Sequence, residues 1–430
     1  MHLIIHRGAK EIGGSCVELA AGSSRILIDF GLPLVDKDQQ PFNSRSIKGQ
    51  TIPQLKASGI LPPIEGLYRG ETRQIDAILL SHSHLDHYGL LSYVLPDIPI
   101  YMSQGSKELI EISDIFVPTK VGNLNAKVID LRKALVIGSF KVRPFLVDHS
   151  AFDALAYQVE ADGKKIFYTG DFRAHGRKRI LFDRIIKNPP KNIDCLLMEG
   201  SMLGRSETLS HNEEYVQKDF EILLKQTDNI VFLSASSQNI DRLVSAYKAC
   251  INTGRILVLD VYTAFILDRL RKISKGIPQF NWKNVRVKFM KYHNECLVKA
   301  GLKELLFKYA KSKIEMHEIN QERKKILMLL RDNSVFDRII EHIPAVKGAK
   351  LIFSMWEEYL KDEFKQKCAN YGIEIVHLHT SGHAFPQDLK KFVQALKPKK
   401  LVPIHTFFPN DYQQFGKMVE MVPDEQPLII

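Results

Sequence analysis

The sequence predicts an α/β protein that is divided into at least two domains. Its 430 residues exceed the length of one ordinary domain, and 45% apolar with 25% charged residues is the composition of a chain that forms a core. The first 200 residues contain short β-type runs separated by glycines, whereas strand-like and helical runs alternate from about residue 210. This alternation is typical of a parallel sheet covered by helices. We therefore expect a sheet-rich region followed by a parallel α/β region.

The strands of the first region are predicted by apolar and β-branched residues that end at a glycine or a polar turn. These runs are HLIIHRG, CVELA, SRILIDFG, AILLSHSH, FKVRPFLVDHS, LAYQVEADGKKIFYTGDF and CLLMEGS. The letters ADGK, between LAYQVE and KIFYTG, have the composition of a tight turn and predict a β-hairpin. We expect few helices in this region.

The second region begins with a helical pattern over 212–226 and then alternates strand and helix. The predicted strands are NIVFLSAS, GRILVLDVY, AKLIFSM, IEIVHLHT and KKLVPIHTF. The predicted helices are NIDRLVSAYKACI, AFILDRLRKI, WEEYLKDEFKQKCANY and PQDLKKFVQAL. A lysine-rich stretch over about 301–345 is predicted to be helical throughout.

The excess positive charge is concentrated in one part of the chain. The formal net charge is +11, and residues 271–370 alone hold 22 Lys and Arg against 12 Asp and Glu. Such a block is either the solvated faces of helices or an electrostatic footprint for a polyanion. The charge alone leaves these two interpretations open.

The N-terminal sequence, the apolar runs and the cysteines indicate the cellular compartment. The N-terminus MHLIIHRGAKEIGG lacks the layout of a secretory signal, and no apolar run approaches the roughly 20 residues of a membrane helix. The five cysteines lie far apart without a CxxC pair, which argues against a disulfide scaffold. We expect a cytoplasmic protein with no membrane partner.

The stretch SHSHLDHYG follows an apolar strand and gathers three histidines and one aspartate. His82 and His84 are two residues apart, so their side chains at a strand end point the same way and can converge on one ion. Asp86 and His87 begin the next turn and are displaced toward a second ion. Imidazole and carboxylate suit Zn²⁺, and two ions about 3.5–4 Å apart form an arrangement that hydrolyses phosphoesters.

Four positions do not complete two metal sites, and three further strand ends offer the missing ligands. His149 in FLVDHS, Asp171 in FYTGDFR and His405 in LVPIHTF each follow an apolar strand and precede a turn. A lone histidine at a strand end is more often structural. The dense cluster together with three matching partners favours a metal site over that alternative.

These motifs resemble those of a known family. The metallo-β-lactamase fold is matched by His82-x-His84-x-Asp86-His87, His149, Thr169-Gly170-Asp171 and Asp29 in LIDFG. The three further motifs of the β-CASP nucleases are matched by Glu199 in MEGS, His383 in TSGHA and His405 in PIHTF. Within that group the chain is most similar to ribonuclease J, through EIGGSC, TGDFR, SQNIDR at 237–242 and HTSGHA at 379–384.

The resemblance implies an αββα metallo-β-lactamase sandwich with an inserted β-CASP α/β domain. The sandwich would be formed by residues 1–203 and completed by 373–430, and the insertion would span 204–372, which contains the basic block. The chain is expected to lack the C-terminal domain of ribonuclease J. It also departs from the ribonuclease J pattern at two places: Thr406 and Phe407 follow His405 in place of Gly-Glu, and Gln238 replaces a common Ser.

The resemblance also implies two Zn²⁺ ions per chain, with Mn²⁺ as an alternative metal. One ion would be held by His82, His84 and His149. The other would be held by Asp86, His87 and His405, and Asp171 would bridge the two. Asp29 would lie behind the ligands and orient a ligand histidine.

Four residues are candidates for the catalytic steps. Asp86 and Asp171 would take part as metal-bound carboxylates. His383 is the candidate general acid, and Glu199 is the carboxylate that would orient it and favour its protonated form. The alternative for His383 is a histidine that satisfies backbone groups in the SGHA turn.

Four further residues are candidates for binding substrate phosphates. His379 and Ser381 offer donors on one extended segment, and Ser237 and Asn239 lie at a predicted helix start, where free N–H groups favour anions. The pocket would accept a terminal 5′-phosphate. The alternative for Ser237 and Asn239 is an ordinary helix N-cap.

The expected function is zinc-dependent phosphodiester hydrolysis of single-stranded RNA, by a 5′ exonuclease, an endonuclease or both. Alternatives are a DNA nuclease of the same family, a small-molecule metallohydrolase acting on a lactone, thioester or cyclic phosphate, and a nucleic-acid-binding protein with an inactive site. A homodimer is left open. Trp282 and Trp356 in the insertion are expected to pack in the core rather than to stack on bases.

Overall fold

The protein was analysed as a computed structural model that describes residues 1–36, 40–117, 120–205 and 212–430. The predicted α/β class is confirmed, and the strands of the described residues form three sheets. The strands are β1 (His2–Arg7), β2 (Cys16–Ala21), β3 (Ser24–Ile28), β4 (Ala77–Leu79), β5 (Ile100–Met102), β6 (Ala126–Val128), β7 (Leu135–Ile137), β8 (Phe140–Leu146), β9 (Leu155–Ala161), β10 (Lys164–Tyr168), β11 (Cys195–Glu199), β12 (Val231–Ser234), β13 (Ile256–Asp260), β14 (Val285–Lys288), β15 (Ile326–Leu329), β16 (Lys350–Phe353), β17 (Glu374–His377), β18 (Lys400–Ile404) and β19 (Pro427–Ile429).

The helices connect these strands and cover the faces of the sheets. They are α1 (Ile52–Ala57), α2 (Leu85–Tyr88), α3 (Gln104–Phe116), α4 (Ile180–Lys187), α5 (Glu213–Gln226), α6 (Ile240–Thr253), α7 (Val261–Leu270), α8 (Lys291–Lys299), α9 (Lys303–Ala310), α10 (Met316–Gln321), α11 (Phe336–Glu341), α12 (Asp362–Asn370) and α13 (Pro386–Leu396). No helix of the described ranges combines the length and the apolar character that crossing a membrane requires.

Two of the sheets form a sandwich. The first has the order β19-β1-β2-β3-β4-β5-β6, and the second has the order β18-β11-β10-β9-β8-β7. Apolar side chains of both sheets, such as Ile28 and Ile166, share one buried cluster between them. Helices α1 and α3 pack on the outer face of the first sheet, and α4 and α13 pack on the outer face of the second. The four layers are those of the predicted αββα sandwich.

The third sheet is parallel throughout and has the order β14-β13-β15-β12-β16-β17. Helices α5, α6 and α7 pack on one face, and α11 and α12 pack on the other. This is the doubly covered parallel sheet that strand–helix alternation predicts. Its edge strand β17 lies entirely beyond the predicted domain boundary at 372, so we propose that the chain returns to the sandwich after His377. The boundaries themselves remain predictions.

The predicted hairpin joins β9 to β10. Ala161 and Lys164 face each other across the turn, and Asp162 and Gly163 have φ angles of 50° and 69°. Positive φ at both central residues is the conformation of a tight hairpin turn. This turn matches the twist of two antiparallel strands.

The prediction of one helical stretch over 301–345 was wrong. Strand β15 lies within it and occupies an inner position of the third sheet, between β13 and β12. The four apolar letters ILML are too short to distinguish a buried strand from a buried helical turn, and charged residues precede them. The thirteen-residue helix α3 was likewise not predicted in the sheet-rich region.

Candidate metal centre and active site

The candidate ligands lie where parallel strands end at the same edge of the sandwich. In the first sheet β3 and β4 run parallel, and Asp29 follows β3 while His82 follows β4. In the second sheet β8, β10, β11 and β18 run in one direction, because β9 is antiparallel to both β8 and β10. Strand ends at one edge bring distant residues together, so His149, Asp171 and His405 lie beside the SHSHLDHYG turn.

Three histidines and one aspartate form the first group of ligand atoms. Nδ1 of His84 lies 3.2 Å from Nε2 of His82 and 3.2 Å from Nε2 of His149. Oδ2 of Asp171 lies 3.6 Å and 3.9 Å from the same two Nε2 atoms. The ligand atoms of the group all lie within 4.8 Å of one another.

The second group shares Asp171 with the first. Oδ2 of Asp171 lies 3.2 Å from Nε2 of His87 and 3.6 Å from Nε2 of His405. Oδ2 of Asp86 lies 3.7 Å from each of these nitrogens. The structure therefore brings together all seven predicted ligand residues, in the two sets that the resemblance implied.

The donor atoms fit divalent metal ions. Tetrahedral Zn²⁺ with bonds of 2.0–2.1 Å separates its ligand nitrogens by about 3.3 Å, close to the spacing in the first group. Among the described residues, Nε2 of His87, Nε2 of His405 and both carboxylate oxygens of Asp171 are buried without a hydrogen bond of acceptable geometry. Buried polar atoms are normally paired, so this convergence is what a metal site requires.

Burial keeps the first group of imidazoles neutral. It lowers the pKa of His82 and of His149 well below the usual value, and lowers the pKa of His84 to about 4. A neutral imidazole offers a lone pair to a metal. Burial opposes ionisation of Asp171, but the surrounding histidines outweigh it and lower the pKa of that carboxyl.

Hydrogen bonds behind the ligands orient three of the imidazoles. Nδ1 of His87 lies 2.8 Å from Oδ2 of Asp29, and Nδ1 of His149 donates to the carbonyl of Gly382 at 2.5 Å. Nδ1 of His82 lies 3.0 Å from the hydroxyl of Ser81. In each case Nε2 is left to face the cluster.

Asp29 is fully buried and its side chain serves several partners at once. Its carboxylate accepts from the backbone N–H and the hydroxyl of Ser81 and from the hydroxyl of Tyr168, each at 2.7 Å. The residue has φ of 60°, a left-handed conformation that turns its side chain at the end of β3. The sequence pointed to Asp29 only through the family motif, and it gave no signal for Ser81 or Tyr168.

His383 and Glu199 meet at the border of both ligand groups. Nδ1 of His383 lies 3.4 Å from Oε1 of Glu199 and 3.8 Å from Oδ2 of Asp171. Glu199 is buried and also accepts from the backbone N–H groups of Ala384 and Ser201. Burial opposes protonation of His383, but Glu199 and then Asp171 outweigh it and raise the pKa of the imidazole. The ring retains 24% of its surface exposed.

The four candidate phosphate contacts do not form one open pocket. Ser237 is buried, with its hydroxyl 2.7 Å from that of Thr263 and accepting from Arg331 at 2.9 Å. Asn239 caps α6, because its side chain accepts from the N–H of Arg242.

His379 and Ser381 lie on the loop that leads to His383. Nδ1 of His379 accepts from Arg242 at 3.3 Å, and burial with that positive charge lowers the pKa of the imidazole. The hydroxyl of Ser381 accepts from the N–H of His383 at 3.0 Å. Ser381 thus contacts the backbone of the general-acid candidate, whereas His379 contacts Arg242.

A buried ionic network behind the site was not predicted. Arg242 donates to Glu213 at 3.0 Å and 3.3 Å, and Arg173 donates to Asp148 at 3.2 Å and to Asp241 at 2.6 Å. The two arginines also donate to backbone carbonyls of the 379–383 loop, at Thr380 and Ser381. The network therefore ties the N-terminal parts of α5 and α6 to the loops that carry His149 and His383. SQNIDR and TGDFR contain three of its members, which is the signal that could have found them.

Comparison with known proteins agrees with this geometry. A Beta-lactamase superfamily domain matches residues 26–221, and a Zn-dependent metallo-hydrolase RNA specificity domain matches residues 370–408. A protein named Ribonuclease J from Helicobacter pylori (strain ATCC 700392 / 26695) is 23% identical over 412 residues, which are 93% of this chain and 55% of that protein. One with the same name from Mycoplasma genitalium is 24% identical over 424 residues, with 93% and 67% of the two chains covered.

The chain thus spans about half the length of the first of these relatives. A crystal structure of a protein of unknown function from Enterococcus faecalis V583 has the same fold, with a TM-score of 0.78 at 22% identity, and covers 100% of this chain and 99% of its own. Residues 26–221 are thus similar to a beta-lactamase superfamily domain, residues 370–408 are similar to a Zn-dependent metallo-hydrolase RNA specificity domain, and 93% of the chain resembles Ribonuclease J.

Proposed function

We propose that the protein is a zinc-dependent phosphodiester hydrolase that acts on single-stranded RNA. The observation that carries this proposal is the arrangement of two ligand groups around one shared carboxylate, Asp171, with the imidazole of His383 3.8 Å from that carboxylate. A nucleophile, charge neutralisation and a proton donor are the three requirements of phosphodiester hydrolysis, and this arrangement can supply all of them.

Two Zn²⁺ ions are the proposed cofactors, with Mn²⁺ as the alternative. His82, His84 and His149 would hold one ion, Asp86, His87 and His405 the other, and Asp171 both. Such a pair, when bound, supplies a nucleophile at neutral pH and offsets the charge of the phosphoryl oxygens. Asp29 orients His87 by accepting the proton on Nδ1, which leaves Nε2 for the metal.

His383 is the proposed general acid. Protonation of the leaving oxygen needs an imidazole that holds its proton near neutral pH, and the carboxylate of Glu199 favours that state. Glu199 also fixes the loop, since it accepts the N–H of Ala384 next to His383. We therefore assign proton donation to His383 and its positioning to Glu199.

Three observations support RNA as the substrate. The domain matched over residues 370–408 is described as an RNA specificity domain, and it contains His379, Ser381 and His383. The relatives that match 93% of the chain are named Ribonuclease J. Residues 271–370 carry a net positive charge, which suits a polyanion.

We propose that His379 and Ser381 form the phosphate-contacting part of the site, because both lie on the loop that carries His383. Asn239 would support this loop from the start of α6 by way of Arg242, which contacts both Asn239 and His379. A terminal 5′-phosphate held there would direct hydrolysis to the 5′ end of the strand. Without binding of a 5′-phosphate, the same centre would cleave the RNA at internal phosphodiester bonds.

The test is a time course on 3′-labelled single-stranded RNA with either a 5′-monophosphate or a 5′-hydroxyl, and a matching DNA. The metal-loaded wild type is compared with Asp171→Ala, which removes the carboxylate shared by both ligand groups. Progressive shortening that depends on the monophosphate and is absent in Asp171→Ala is the expected result. Discrete internal cuts that ignore the 5′ group would indicate an endonuclease. Cleavage of DNA alone, or of neither polymer, would overturn the proposed substrate.

A further inference from the structure

Five residues, three exposed and two partly exposed, form an aromatic and cationic rim near the proposed catalytic residues. The rim consists of Arg205, Trp356, Tyr359, Phe407 and Phe408. The guanidinium carbon of Arg205 lies 4.7 Å from the centre of the Trp356 ring, and the Trp356 and Tyr359 rings meet edge to face at 5.4 Å. The side chain of Tyr359 is 57% exposed, and Phe407 and Phe408 are 36% and 44% exposed. Clustered exposed apolar side chains mark candidate binding surfaces.

The segment 200–205 ties this rim to the catalytic loops. The N–H of Gly200 and the hydroxyl of Ser201 both donate to the carbonyl of His405. The sulfur of Met202 accepts from the hydroxyl of Ser381. The α-carbon of Gly204 lies against the Phe408 ring so closely that a Cβ there would be 2.5 Å from it. The rim is therefore joined to the loops of both His383 and His405.

Electrostatics agree with this placement. Partial burial and then the negative charge of Asp86 raise the pKa of the Tyr359 phenol. Tyr359 therefore interacts electrostatically with one of the candidate metal ligands.

The two tryptophans of the chain differ in their surroundings. Trp282 is half-buried and packs on Tyr247 and against the buried apolar cluster of the third sheet, as expected from the sequence. Trp356 is half-buried and contacts Arg205 and Tyr359. The expectation that both would pack in the core was therefore wrong for Trp356. Its contacts with Arg205 and Tyr359 make it a candidate for a binding role at the surface.

We propose that the rim is a nucleobase platform, on which the ring of Tyr359, supported by Trp356 and flanked by Arg205, stacks with an unpaired base of the substrate strand. This inference rests on the proposed function and deepens it. Every base has a π-face, so stacking tolerates any sequence, and duplex pairing would hide that face. Arg205 adds attraction for the backbone phosphates of the same strand. The platform would therefore account for the proposed preference for single-stranded RNA.

The test uses the fluorescence of one tryptophan. The chain contains two tryptophans, so the metal-loaded Trp282→Phe protein reports on Trp356 alone. It is titrated with a 5′-phosphorylated RNA decamer that has phosphorothioate linkages, and with the same decamer made abasic at its first three positions. We expect saturable quenching by the first oligonucleotide and little quenching by the second, because the platform recognises the base and not the backbone.

Kinetics provide a second measurement. Tyr359→Ala is expected to raise KM for single-stranded RNA by about 5- to 100-fold and to change kcat by less than about 2-fold, since stacking acts on binding. The matched control is Phe307→Ala, which removes an aromatic ring that is 66% exposed on α9. This control is expected to leave KM unchanged.

The outcomes separate this inference from the proposed function. RNA cleavage by the wild type together with equal quenching by both decamers, or with equal KM for Tyr359→Ala and Phe307→Ala, would overturn the platform and leave the ribonuclease assignment intact. Failure of the wild type to cleave RNA would overturn that assignment. The titration does not depend on cleavage, and absence of quenching would then overturn the platform as well.

Discussion

Oδ2 of Asp29 lies 2.8 Å from Nδ1 of His87, and both side chains are fully buried. Asp29 also accepts from Ser81 and Tyr168, so protein groups alone hold the carboxylate in place. The protonated Nδ1 of His87 is thereby directed at Asp29, and Nε2 is directed at Asp86 and Asp171. The position of one aspartate in the first sheet thus sets the tautomer of a candidate ligand.

Asp29→Asn is expected to weaken metal binding by about 10- to 100-fold. The amide can present a donor where His87 needs an acceptor, which frees the imidazole to rotate. Metal retained after dialysis against graded chelator, measured by mass spectrometry, checks this. Asp183→Asn on α4 is the control, because that side chain is 48% exposed and contacts only Arg179 among the described ion pairs. Unchanged metal affinity in Asp29→Asn would show that the contact does not support the ligand.

His383→Ala is expected to lower kcat by about 10²- to 10⁴-fold, the usual contribution of a general acid, without loss of metal. The reason is geometric, since the imidazole lies at the border of both ligand groups and belongs to neither. Turnover of RNA and metal content are measured on the same preparation. Glu199→Gln serves as the companion variant, with the same direction of change and retained metal. Loss of metal from His383→Ala equal to that from His84→Ala would mean that His383 is a ligand.

Gly382→Ala is expected to impair the site through packing. An added Cβ would lie 2.4 Å from Oγ of Ser150 and 3.3 Å from the His149 ring, so the loop would have to move. That movement would displace the Gly382 carbonyl, which accepts the proton on Nδ1 of His149. We expect at least a 10-fold loss of kcat/KM, with weaker metal retention.

The control for that change is Gly276→Ala. No atom outside its own chain neighbours lies within 4 Å of a Cβ at Gly276, so the substitution meets open space. It is expected to leave kcat/KM unchanged and to alter the midpoint of urea unfolding slightly. Equal behaviour of the two alanine variants would contradict the proposed role of the Gly382 carbonyl.

The sequence predicted the parts of this protein whose signal is local. The hairpin at ADGK, the clustering of His82, His84, Asp86 and His87, and the ligand strand ends each depend on neighbouring letters. Strand β15 was missed because four apolar residues carry no periodicity. The hydrogen bonds from Ser81 and Tyr168 to Asp29 were missed because they depend on how the two sheets of the sandwich pack together. The partners of Ser237 and Asn239 likewise became clear only from the third sheet, where those side chains contact Thr263, Arg331 and Arg242.

The ionic network gives the largest expected effect on stability. Glu213 accepts two hydrogen bonds from Arg242, and its Oε1 lies 3.6 Å from Arg173, with all three side chains buried. Glu213→Gln would leave two buried guanidinium groups with less negative charge. Removal of one partner from a buried ion pair costs about 3–5 kcal/mol in the free energy of unfolding. Because both arginines hold the loop before His383, the variant should also lose activity.

The pH dependence of stability distinguishes this ion pair from a packing effect. Burial opposes ionisation of Glu213, but Arg242 and Arg173 outweigh it and lower its pKa from 4.5 to about 2. A carboxyl whose pKa is lower in the folded state stabilises that state above the unfolded pKa, and the contribution is lost as the pH falls toward the folded pKa. The difference in free energy of unfolding between the wild type and Glu213→Gln should therefore shrink between pH 4.5 and about 2. Urea unfolding with chelator present measures this difference without a contribution from metal release.

The control for this measurement is Asp362→Asn, which removes an exposed partner of Lys365. It should change stability by less than about 0.5 kcal/mol throughout the pH range. A constant difference between the wild type and Glu213→Gln across this range would mean that the carboxylate charge does not stabilise the fold.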